Sequence, residues 1–95
     1  MEAINPVERI EKEEIKFLHF PQKEVLRSEK AKRDRYRKLS RGLQLGNLEQ
    51  QKVKIVFADD EGVKEVESTI WGITDKSVIL KQSTIIPLGR IISIV

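Results

Sequence analysis

The sequence predicts an α+β domain in which N-terminal helices pack on a small C-terminal five-stranded β-barrel. Two patterns and one size argument point there. From Lys52 to Val95 the chain breaks into short alternating apolar runs separated by turn residues, which favours a closed or strongly bent sheet. Residues 1–46 instead carry apolar side chains at helical spacing. A barrel of about 44 residues is near the lower limit for a self-sufficient core, so the helical part is expected to cover it. The division is thus a helical segment, 1–46, and a barrel, 47–95, forming one structural unit.

Two helices are expected, over about 6–20 and 22–44. Asn5 suits a cap, Pro6 the first helical position, and Glu8 the partner position of a capping box. Val7, Ile10, Phe17 and Leu18 then share one side, and Pro21 ends the run. In the second helix Val25, Tyr36, Leu39 and Leu43 cluster opposite Lys23, Arg27, Lys30, Arg37 and Arg41. Ser28, Glu29 and Lys32 weaken the middle of its apolar face, so the end from Tyr36 to Leu45 is expected to dock on the sheet. Gly46-Asn47 reads as the helix stop.

In the sheet, Val53, Ile55 and Phe57 alternate with Lys54 and Val56, and Ala58 to Gly62 supplies a turn with Gly62 free to take positive φ. A second strand runs through Val66, Ser68 and Ile70. Its alternation blurs at Trp71, and Gly72 marks a bulge or sharp bend. Turns at Thr74–Ser77 and Gln82-Ser83 bound Val78-Ile79-Leu80 and Thr84-Ile85-Ile86. Pro87 to Arg90 breaks the ladder before a last strand, Ile91–Val95. The expected core is Tyr36, Leu39, Leu43, Leu45, Val53, Ile55, Phe57, Val66, Ile70, Val78, Leu80, Ile86, Leu88, Ile92 and Ile94.

This order, a helix, a strand ending in an acidic turn with Gly62, a bent strand and then IIPLGRIISI, resembles the small Sm-like or SH3-like barrel. The layout is similar to that of the Rho-binding antiterminator family and of other small bacterial proteins. The resemblance covers about half of the chain. It implies that Pro87 to Arg90 is the single helical turn joining the last two strands of such a barrel. Gly89-Arg90 stands in the reverse order to the Arg-Gly pair of RNA-binding Sm proteins, and the acidic surface of an antiterminator is missing, so no family binding residue is carried over.

With 39% hydrophobic and 35% charged residues the composition is that of an ordinary globular chain, and without cysteine neither a disulfide framework nor a thiolate metal site can form. No apolar run approaches the ~20 residues of a membrane helix. The acidic N-terminal stretch lacks the apolar core of a secretion signal, so a cytoplasmic location and no membrane partner are expected. The net charge of +3 hides an asymmetry. Residues 22–41 carry nine Lys/Arg against three acids, a balance of +6, whereas 1–21 balance to −2 and 42–95 to −1.

That basic helix is the candidate site. Lys30, Lys32, Arg33, Arg35, Arg37, Lys38 and Arg41 can track phosphates while Tyr36 stacks on a base. The plainer reading is a solvated face stitched by Glu29–Arg33 and Asp34–Lys38 pairs, each worth about 0.2–0.5 kcal/mol. Replacing Arg33, Arg35 and Arg37 together is expected to weaken binding and leave folding nearly intact.

Other constellations favour structural roles. Asp59-Asp60-Glu61 reads as a charged turn, since calcium ligands come at alternating positions. His19 has no nucleophile partner and reads as a surface or partly packed side chain. Trp71 is a candidate exposed stacking platform, but beside Ile70 and Ile73 it reads rather as a core or helix contact. Arg90 is expected to bond carbonyls freed by the Pro87 break. No phosphate loop, carboxylate pair, metal-ligand spacing or cofactor motif is present, so a non-catalytic protein is expected. Its role is an accessory one, contacting RNA or an RNA-handling machine. The alternative is a protein-interaction or homo-oligomeric assembly module that pairs through its barrel edges and the uncharged IISIV strand, with no nucleic acid.

Overall fold

Strand pairing builds two sheets in this computed structural model, which describes residues 7–95. β1 (Glu8–Arg9), β2 (Val53–Ala58), β3 (Val63–Ser68) and β7 (Ile91–Ile94) form a four-stranded sheet in the order β1-β3-β2-β7. β4 (Ile70–Ile73), β5 (Ser77–Leu80) and β6 (Thr84–Pro87) form a three-stranded sheet in that order. The one α-helix among the described residues, α1 (Glu29–Glu49), packs on β4 and β7. The chain is therefore α+β, with one helix lying between a terminal segment and the sheets.

Three expectations are corrected here. Asn5 and Pro6, the expected start of a first helix, lie outside the described residues. Beyond them Glu8–Arg9 is a strand, paired parallel to Lys64 and Glu65, and the Ile10 N–H donates to the Glu65 carbonyl (2.9 Å). Lys12–Phe17 is a 3₁₀ segment rather than an α-helix. Its apolar stripe does not exist: Ile10 and Ile15 are buried, but Phe17 is 79% exposed and Val7 46%. Pairing with the sheet has overridden local helix preference.

The second helix begins later and ends later than its expected 22–44. Ser28 is the cap, its Oγ accepting from the Ala31 N–H (3.0 Å), and Glu29 favours the positive end of the helix dipole. Residues 21–28 form an irregular strap ahead of it. Gly46-Asn47 is not the stop. The helix runs to Glu49 and Gln50 closes it in the left-handed region (φ 55°), its N–H donating to the Gly46 carbonyl (3.1 Å).

The strand boundaries lie close to those expected, but the sheets are not closed into a barrel. Thr69 alone separates β3 from β4, so one bent path carries the chain between sheets, and a 3₁₀ turn, Leu88–Arg90, links β6 to β7. No ladder joins β6 to β7 among the described residues.

Inward residues of both sheets, with Leu39 of α1 and with Ile10 and Ile15, make one core around Phe57, and Phe20 packs against that ring at 5.8 Å between centroids. Three expected core members fail: Leu45 is only half-buried and outside this cluster, and the other two fail for separable reasons. Tyr36 is 56% exposed because Arg35 takes the inward position on its turn. Ile92 is displaced by a bulge: Val56 pairs with Ser93 but Phe57 with Ile91, so Ile91 is buried and Ile92 only half so.

Candidate nucleic-acid interface

The inner side of α1 is buried at Arg35, Leu39, Gly42 and Gly46, at the three- and four-residue spacing of one helical face. The glycines let the helix lie almost on the backbone of β4. A Cβ on Gly46 would sit 2.7 Å from the Ile70 carbonyl oxygen and 2.9 Å from Thr69 Cγ2. On Gly42 it would come 3.0 Å from the tip of Ile70.

Arg35 is therefore not part of a binding surface. Its side chain is 6% exposed and makes a two-pronged bond to Glu24 at 2.7 and 2.8 Å, with a third bond to the Ile91 carbonyl at 3.0 Å. The Arg35 guanidinium draws the Glu24 carboxyl down from 4.5 to about 2, helped by the Leu26 N–H against the opposing effect of burial. The triple replacement suggested by the sequence would remove this inward pair and confound binding with stability.

The outer side divides into paired and unpaired cations. Lys30 and Arg37 both reach Asp34, at 3.1 and 3.3 Å, and Lys32 reaches Glu29 at 3.3 Å. The Lys30 hydrogen bond, foremost, holds the Asp34 carboxyl below its usual range. These pairs differ from the expected Glu29–Arg33 and Asp34–Lys38. Arg33, Lys38 and Arg41 are exposed and have no carboxylate partner among the described residues. Tyr36 lies in a shallow depression with Lys32, Arg33, Arg37 and Ser40, apart from Lys38 and Arg41.

The positive surface continues past the helix. Lys38 and Arg41 line a second depression that includes Lys52 and the end of β7. Lys52 also lines a third, of about 270 Å³, with Trp71, Lys81, Thr69, Asn47 and Gln50. Trp71, expected as a core or helix contact rather than an exposed platform, is 51% exposed and shares its depression with the end of α1. The cause is a bulge: Ile70 pairs with Leu80 and Gly72 with Ile79, leaving Trp71 as the extra, unpaired residue. Alternation after buried Ile70, with the irregularity at Gly72, was the available signal. Lys52 and Lys81, isolated in the sequence, gave none.

The remaining candidates are structural. Asp59 is buried at the β2–β3 turn, where Oδ1 accepts from the Glu61 and Gly62 N–H groups (2.8 and 2.9 Å) and Oδ2 from Lys64 Nζ (2.7 Å). Burial pushes its carboxyl up, but Lys64 and the two amides outweigh that and hold it below the usual range. The same Asp59 bond raises Lys64 against the effect of burial. His19 is on the surface, its Nδ1 3.5 Å from Asp60. Arg90 does bond carbonyls, but those of Ala58 (3.0 Å), Lys23 (2.6 Å) and Asp59 (3.4 Å) rather than any freed by Pro87. No helix among the described residues is long and apolar enough to cross a membrane. Comparison with protein-family models, curated proteins and solved structures finds no match to this chain.

Proposed function

We propose that this chain is a non-catalytic accessory protein of the cytoplasm that contacts RNA, or an assembly handling RNA, through the outer face of α1. The observation that carries the reading is the set Arg33, Lys38 and Arg41, exposed and without acidic partners among the described residues, with Arg33 sharing the depression of Tyr36. Cations already held by Asp34 or Glu29 would have to exchange a carboxylate for a phosphate, whereas these three only release counterions. The unit from β2 to β7 is taken as an Sm-like or SH3-like scaffold. Its order β7-β2-β3 then β4-β5-β6, the bend at Thr69 and the 3₁₀ turn Leu88–Arg90 support that reading.

The test replaces Arg33, Lys38 and Arg41 together with Ala. All three point to solvent, so the unfolding midpoint should hold while binding to a labelled RNA falls. Undiminished binding by this variant at low salt would remove the helix as the site.

An assembly module remains the second reading, and one feature favours it. β6 is an edge strand with Ile85 52% exposed, beside the 3₁₀ segment that bears exposed Phe17. On that reading light scattering finds a dimer or ring that RNA does not alter.

A further inference from the structure

The indole of Trp71 stands where the ladder is irregular, and its exposure has a local cause rather than being the accident of a loop. The bulge between Ile70 and Gly72 leaves Trp71 without a cross-strand partner and turns half of its surface to solvent. Lys52 and Lys81 share its depression, and none of the residues lining that depression is acidic. Asn47 and Gln50 add amides that can meet a base edge. Lys52 lines the neighbouring depression too, so the cations run without interruption from Arg41 and Lys38 through Lys52 to the indole.

Resting on the nucleic-acid reading above, we infer that Trp71 is a stacking platform for an unpaired base, that Lys52 and Lys81 hold the flanking phosphates, and that the ligand is therefore single-stranded. The bases of a duplex are stacked on one another and present only their edges, so an indole face has nothing to stack on there. An unpaired nucleotide offers its whole face, and the positively charged track sets the direction of the strand.

The experiment uses a twelve-residue oligouridylate and an RNA duplex of equal charge. Trp71 is the chain's only tryptophan, so its emission reports this site without assignment. The oligouridylate should quench that emission on binding, and the duplex should not. Trp71→Ala should weaken the single strand about 10- to 100-fold and change duplex binding little, while Trp71→Phe stays within about threefold of the parent. Should Trp71→Ala fold poorly, the quenching in the unaltered protein and the Phe variant still decide. Oligouridylate binding with unchanged emission and unchanged affinity in Trp71→Ala overturns this inference and leaves the helix reading standing. Failure of the unaltered protein to bind either RNA overturns both.

Discussion

Arg35 and Glu24 form the pair on which the placement of α1 leans most at the scale of single residues. The guanidinium is almost fully withdrawn from water and its charge is met by one carboxylate and one carbonyl. Removing the carboxylate charge leaves a buried cation uncompensated, which is costlier than never having placed it there. Glu24→Gln should therefore lose about 2–3 kcal/mol in urea unfolding at pH 7. The sign follows from the lowered carboxyl. Stability due to Glu24 is complete above pH 4.5 and drains away as pH falls toward about 2, so the parent and Glu24→Gln curves should converge there. Parallel curves across that range would mean the pair is not coupled to folding. In the sequence Arg35 is one cation among nine, and its partner eleven residues upstream belongs to a strap with no periodicity, so nothing marked it as inward.

The glycine pair on α1 decides how closely helix and sheet approach. Ala at either position would gain roughly 1 kcal/mol of intrinsic helix preference. At Gly46 the new methyl meets backbone, the Ile70 carbonyl at 2.7 Å, and the helix must retreat. At Gly42 it meets only the end of a flexible side chain at 3.0 Å. Gly42→Ala is therefore expected within about 1 kcal/mol of the parent, and Gly46→Ala to lose about 1–3 kcal/mol. Thermal denaturation compares them, and equal stability of the two would deny the close contact its role. Gly46-Asn47 reads as a stop in the sequence because such a pair commonly ends a helix. The alternative, a glycine kept for a contact, depends on a strand twenty-four residues away. Strand positions were legible because alternation is local. The bulge between β2 and β7 was not, since it is a mismatch between partners, whereas the one in β4 left its mark at Gly72.

Over the whole molecule, the charge asymmetry visible in the sequence survives folding, but its content changes. Of the seven cations that the sequence proposes for an interface, one is buried and three are paired, and Lys52 and Lys81 share a depression with the end of α1. For a single strand each neutralised phosphate adds about 0.7 to the slope of log affinity against log salt, so the Arg33, Lys38 and Arg41 triple variant should flatten that slope by about 2. Titration of labelled RNA between low and moderate salt measures it, and an unchanged slope would place the contacts elsewhere. Fold class was readable because it rests on periodicity; the proposed interface was only partly so, because it is assembled from residues of three segments. The strap before α1 has one bond of its own, from the Leu26 N–H to Glu24, and is otherwise held by its surroundings. The His19 carbonyl accepts from the Asp60 N–H (2.9 Å), the Val25 N–H donates to the Gly89 carbonyl (2.9 Å), and Arg90 grips the Lys23 carbonyl between them. A stretch without a helix or strand of its own is thereby denied a private route of opening. Deuterium should enter the Val25 and Asp60 amides at the pace of the innermost strands, and early labelling there would show the knot to be loose.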